Sequence, residues 1–201
     1  MSAITFITIL SYVFGFFYLL INLIKGLSNK FPKFQNALAL ILLFHLITVV
    51  DLLLVDNGLD LSLFKTFVLI AFIINTVIFI SSFNKSLHSM YLVLFPISIF
   101  SLLLGQFISP TKTLTDLSLP IQIHIIISFL SYSFLAIAAL HSMMTGYHHL
   151  QLKQKNQNFL IKSFPPLQTL ENFLFQLLSI LLKLELMKRL LFTLELLDRE
   201  I

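Results

Sequence analysis

Residues 121–147 read IQIHIIISFLSYSFLAIAALHSMMTGY, a stretch without a single Asp, Glu, Lys or Arg. About 20 such residues in a helix cross the ~30 Å hydrocarbon core of a bilayer. Working outward, windows of the same kind lie at 4–24, 37–55, 65–83 and 89–108, each with at most one acidic or basic side chain. The chain has 201 residues, 58% hydrophobic and 11% charged, against about 25% charged in ordinary soluble domains. So little charge does not cover a soluble surface. The expected fold class is all-α: a polytopic membrane helical bundle of five transmembrane helices, followed by a C-terminal amphipathic or incomplete sixth helix. The first window has no basic segment before it and no small-residue cleavage site after it, so it reads as a span rather than a signal peptide.

There is no cysteine, which excludes disulfides, thiolate metal sites and covalent C-x-x-C-H haem attachment. There is no tryptophan either, so an interfacial belt has to use Tyr and Phe. The net charge of +4 comes from lysines in connecting segments, with no basic stripe for nucleic acid. Lys25, Lys30, Lys33, Lys85, Lys153, Lys155 and Lys162 fall on one side of the alternating spans. Lys65 and Lys112 fall on the other with Asp56, Asp60 and Asp116. The positive-inside rule then puts the lysine-rich side in the cytoplasm and the N-terminus outside.

Three histidines are placed by this topology. Span 5 enters from the outer face near Leu119-Pro120, where a first-turn proline is well tolerated, so His124 lies about one turn inside the outer boundary. His141 falls about 26 Å deeper. His45, halfway along span 2, lies near the bilayer midplane, where imidazole needs a partner or a cofactor to offset its polarity. One reading hydrogen-bonds it to a neighbouring hydroxyl such as Thr48. The other makes it a metal or haem ligand. His124 shares a helical face with Ser128, Ser131, Leu135, Ala138 and Ser142. That face either packs against another helix, with His124 as a polar anchor, or supports His124 as a ligand, Ser128, Ser131 and Tyr132 being the polar groups around it. The two histidines differ in depth by about 10 Å, too far for axial ligands of one iron, so bound haem implies two separate sites. His88, His141, His148 and His149 read as interfacial or solvated. Asp51 is expected at a water-exposed end of the bundle. No phosphate loop, zinc motif or nucleophile–base pair appears, which speaks against an enzyme.

The tail changes character. Eight of the 22 charged residues fall within Lys183–Ile201, among them both arginines, Arg189 and Arg199. An apolar stretch that begins near Asn172 gives out near Leu182, too short to cross. The expected division is a transmembrane bundle over 1–182 and a charged amphipathic tail over 183–201, with Phe173–Leu197 helical, starting on the cytoplasmic side and lying along the interface or against the bundle.

The run LPIQIHIIISFLSYSFLAIAAL, then QLKQKNQNF, then PPLQTLENFLFQL resembles the cytochrome c assembly membrane family, nearest its HemX-like and YpjD-like branch. LLFHL in span 2 and LDLSLFKTFVLIAF after it are also similar. The resemblance covers about 1–180 and is most specific at 119–176. It implies a haem-handling protein of the bacterial inner membrane, with its N-terminus periplasmic, binding haem b non-covalently. His45 matches the family's first intramembrane ligand and His124 its first outer-face ligand. The implied partners are the lipid bilayer, haem and other cytochrome c biogenesis proteins. The family's remaining ligands and its tryptophan-rich outer segment come later than this chain extends, so the resemblance implies a truncated or reduced copy. Two rivals stand beside it: a scaffold or regulatory membrane protein whose histidines serve packing, and a small transporter subunit. Against the transporter, there is no internal repeat and no pair of broken helices, although Pro96 interrupts span 4.

Overall fold

The computed structural model describes residues 2–25, 32–55, 58–83, 87–107, 119–153 and 167–199. They form six α-helices. Helix α1 (Ala3–Ile24) starts at Ser2, whose Oγ accepts from the Thr5 N–H at 3.3 Å, the usual way to satisfy a donor left over in the first turn. Helix α2 (Pro32–Leu53) starts with proline, whose missing N–H costs nothing there. A two-residue antiparallel pair follows, Leu54–Val55 against Gly58–Leu59. Helix α3 (Leu63–Ser82) leads to a 3-10 turn at His88–Met90 and helix α4 (Tyr91–Phe107). Pro96 inside α4 leaves the Leu92 carbonyl without its usual N–H. Helices α5 (Leu119–Lys153) and α6 (Leu167–Arg199) are the longest, 35 and 33 residues.

The chain is a membrane protein by composition. Four stretches are long and apolar enough to cross a bilayer: Ala3–Ile24, Phe34–Leu53, Leu63–Ser82 and Ile123–Gln151. Helix α4 is apolar too but only 17 residues long, a rise of about 25 Å. Against the expected five spans, four therefore meet the length of a crossing and the fourth window falls just short. The second window ends two residues early, because Leu54 and Val55 turn into the short hairpin. The fifth grows at both ends.

Helices α1 to α4 close into a ring: α1 packs on α2 and α4, α2 on α3, and α3 on α4. Tyr12, Leu38, Ile78, Tyr91, Phe95 and Leu102 fill its centre and are almost completely buried. Two glycines set how closely these helices approach. A Cβ on Gly15 would lie 2.9 Å from Ile41 Cδ1, and one on Gly105 would lie 2.7 Å from Val68 Cγ2. Helix α5 docks on α3 from outside the ring, and α6 runs along α5 in the most extensive helix pairing of the chain.

The expected tail boundary at Lys183 does not interrupt the helix. Helix α6 continues from Leu167 through Lys183 to Arg199, packed against the bundle by way of α5. Leu, Lys, Glu, Met and Arg are all strong helix formers, so the charge that ends a membrane window does not end the helix.

Candidate functional site

Tyr12 and His45 lie within about 4 Å of the midpoints of α1 and α2. These helices are neighbours, and the Tyr12 hydroxyl sits 2.7 Å from His45 Nδ1. Both side chains have no exposed surface. Their rings meet edge-on at 5.4 Å, and Phe95 backs Tyr12 at 5.3 Å. The expected alternative partner, Thr48, is occupied elsewhere: its hydroxyl lies 2.8 Å from Thr8 Oγ1 and 3.0 Å from the Phe44 carbonyl, which the Thr8 hydroxyl also approaches at 3.1 Å, so one hydroxyl donates to the other and the other to a carbonyl.

The polar cluster continues into α3 and α4. Ser98 lies beside the Tyr12 hydroxyl. Its Oγ accepts from Asn75 Nδ2 at 2.7 Å and donates to the Leu94 carbonyl at 2.9 Å. Tyr91 donates to the Asn75 carbonyl at 3.5 Å. Asn75 Oδ1 and His45 Nε2 are both buried without a hydrogen bond. On the α3 side of the imidazole, the Val68 carbonyl approaches it and Phe72 packs edge-on at 5.5 Å.

Two proton arrangements follow. If the Tyr12 O–H donates to Ser98, Nδ1 carries the imidazole proton and donates to Tyr12, and Nε2 keeps a free lone pair. If Tyr12 instead donates to Nδ1, the proton sits on Nε2 and turns towards Val68. The first makes His45 a metal donor held by an outer hydrogen bond, the common form of a histidine ligand. The second makes it a packing group. In the first arrangement the donor chemistry fits a haem iron, a neutral, oriented imidazole with its Nε2 lone pair free; in the second the Val68 carbonyl takes up Nε2. The close-packed Phe72 ring sets the condition that α2 and α3 part to admit a porphyrin.

His124 is half-buried on α5. Its ring is not brought to His45, since α5 packs mainly on α3 and α6. Of the expected supporting residues, Ser131 is buried, Ser128 is half-buried and Tyr132 is largely exposed. The Ser128 and Ser131 hydroxyls have no hydrogen-bond partner. The expected small-residue face is only partly the packed one. Leu135 and Ser142 are exposed, while Ile127, Phe134, Ile137 and His141 are buried, because α3 and α6 cover α5 from two directions.

His141 and His148 were expected at the surface, yet both are buried. Helix α6 covers them, and Phe173 meets the His141 ring edge-on at 5.2 Å. His149 is exposed, 3.8 Å from Glu171. Asp51 is exposed as expected. The His88 side chain, Asp56, Lys112, Asp116 and most of the connector lysines lie outside the described residues. No group of three or more His, Asp or Glu gathers in metal-binding reach among the described residues.

A second buried polar element closes the junction between α2 and α3. Asp60 Oδ2 accepts from Lys65 Nζ at 2.7 Å, and Oδ1 accepts from the Ser62 N–H at 3.0 Å. The Asp60 N–H donates to the Leu53 carbonyl. Burial acts to raise the Asp60 carboxyl, but the Lys65 and Ser62 hydrogen bonds and the Lys65 charge outweigh it and hold it below its ordinary value. These two charges, which the sequence places on the outer side, are thus a buried structural clip rather than free surface groups.

An apolar groove of about 780 Å³ lies between α3, α4 and α5, lined by Ile70, Ile74, Phe100, Leu104, Tyr132 and Leu140 among others. Neither His45 nor His124 lines it. Compared with known proteins, the chain matches no family model, no curated protein and no solved structure.

Proposed function

We propose that this chain is a haem-handling membrane protein of the cytochrome c assembly type, with His45 as its intramembrane iron ligand and His124 as a second ligand near the outer face. The observation that carries the reading is a fully buried His45 whose Nδ1 is held by Tyr12 and whose Nε2 makes no well-formed hydrogen bond, the Val68 carbonyl only approaching the ring. A buried polar atom left without a partner is costly, and an iron at Nε2 offsets that cost. The resemblance of 119–176 and of LLFHL to the family supports the same assignment. Haem bound there is an iron–porphyrin carried by imidazole, with no bond made or broken by the protein. The chain's own part is to orient the imidazole through Tyr12 and Ser98 and to exclude water with Phe72 and Phe95.

In this reading the membrane is the bacterial inner membrane, α4 crosses as a fifth span, and the lysine-rich connectors face the cytoplasm. Other cytochrome c biogenesis proteins are the partners. The chain performs no catalysis.

A second reading is favoured by the Val68 carbonyl beside the ring: a cofactor-free scaffold in which His45, protonated on Nε2, ties α2 to α3. The absorption spectrum of the protein purified from haem-replete membranes separates the two. The haem reading expects a Soret band near one haem or less per chain. A colourless preparation favours the scaffold.

A further inference from the structure

Helix α6 lies antiparallel to α5. His149 pairs with Glu171 at one end, and Lys188 Nζ sits 5.6 Å from the centre of the Tyr132 ring further along. The two contacts are the same number of residues apart on both helices, so the helices run side by side in register. Tyr132 lies within about 8 Å of the middle of the apolar window Ile123–Gln151. Lys188 is therefore carried deep into the span, and Lys183, five residues earlier, is carried to about its middle.

Lys188 has company: Glu185 lies 4.0 Å away and the Tyr132 ring offers a cation–π contact. Lys183 and Arg189 do not. Both are exposed, and neither pairs with a carboxylate among the described side chains. At helical spacing they share one face with Leu182, Leu186 and Leu190, all more than half exposed. A stripe of leucines flanked by two unpaired cations at mid-depth is costly against lipid alone. A second copy of this chain does not relieve it, because copies in one membrane share an orientation and would oppose like charges at the same depth.

We propose that this face of α6 docks a transmembrane helix of another protein, one that presents carboxylates at the depths of Lys183 and Arg189, about 9 Å apart along the axis. The apolar stripe packs against the partner, and the two ion pairs set its register and exclude partners without acidic groups. The inference depends on α5 crossing the membrane and is independent of haem.

The test uses the full chain in neutral phosphatidylcholine vesicles with a fluorescent Leu/Ala transmembrane peptide carrying two Glu six residues apart. The Glu peptide is expected to associate at least tenfold more tightly than its Gln counterpart, and Lys183→Gln with Arg189→Gln to erase the difference while helix content is unchanged. Equal association of both peptides overturns the proposal. The chain has no cysteine, so Lys183→Cys and Arg189→Cys give clean single-site probes. Both are expected to resist a membrane-impermeant maleimide from either side. Rapid labelling, or binding that appears only when anionic lipid is added, places this face in water at a lipid surface and also overturns it.

Discussion

The Tyr12 hydroxyl, 2.7 Å from His45 Nδ1, joins α1 to α2 near the midpoints of both helices, while Nε2 makes no well-formed hydrogen bond and the Val68 carbonyl approaches the ring. Tyr12→Phe keeps the ring packing and removes only the hydroxyl. We expect a loss of about 1–3 kcal/mol, since a buried imidazole nitrogen is left unsatisfied, measured by unfolding in mixed micelles. Any haem held by His45 would then be bound by a less firmly oriented imidazole, seen as a broadened Soret band. An unchanged stability would mean that the hydroxyl is not the imidazole's partner.

Phe72 guards the other side of the ring. Phe72→Ala opens space beside His45, so reconstitution with added haem should reach higher occupancy than the wild type, at a cost in stability of about 3–5 kcal/mol for the lost aromatic ring. A haem titration followed at the Soret wavelength checks it. Lower occupancy in the variant would speak against entry from α3.

The Asp60–Lys65 clip gives a pH dependence of defined sign. The folded carboxyl lies below its unfolded value of about 3.9, so its contribution is complete above that value and is lost as pH falls through the lower, folded one. Thermal melts should therefore show a constant gap between wild type and Asp60→Asn from pH 5 to 7, closing only below about pH 4. Removing one partner of a buried pair costs about 3–5 kcal/mol, whereas replacing both is often neutral. Asp60→Asn combined with Lys65→Met should thus recover most of the melting temperature that Asp60→Asn alone loses.

Gly105 offers a packing test. The added methyl of Gly105→Ala would meet Val68 Cγ2 at 2.7 Å, so the substitution should destabilise by about 1–3 kcal/mol. Adding Val68→Ala should return part of that. Failure of the second substitution to help would show that the α3–α4 approach is not set by this contact.

The four long apolar helices were legible because hydropathy over ~20 residues is a long, redundant signal. The partner of His45 was not. Tyr12 carries the only polar ring tip near the middle of the first span, but pairing it with His45 depends on the relative slide of α1 and α2. That slide is fixed by Thr8 meeting Thr48 and by Gly15 letting Ile41 and Phe95 close in, contacts that no periodicity reveals. The packed face of α5 was legible only in part, for a similar reason. Choosing it by His124 and its serines favoured a narrow stripe, whereas two neighbours, α3 and α6, bury a broad one that includes His141 and Ile127. The tail was expected to be helical, along the interface or against the bundle, and it is a helix packed on α5. Its register on α5 was not legible, because only the Tyr132–Lys188 and His149–Glu171 contacts fix it.

If His45 Nε2 holds haem iron, the substitution His45→Gly should show it. Replacing the ring with a cavity removes the ligand while Tyr12 and Phe72 remain, and free imidazole can enter in its place. His45→Gly, purified from haem-replete membranes, is expected to lose the intramembrane part of the Soret band and to regain it when imidazole is added with haem. A Soret band of full intensity in His45→Gly without imidazole, or no band in the wild type to begin with, would contradict it.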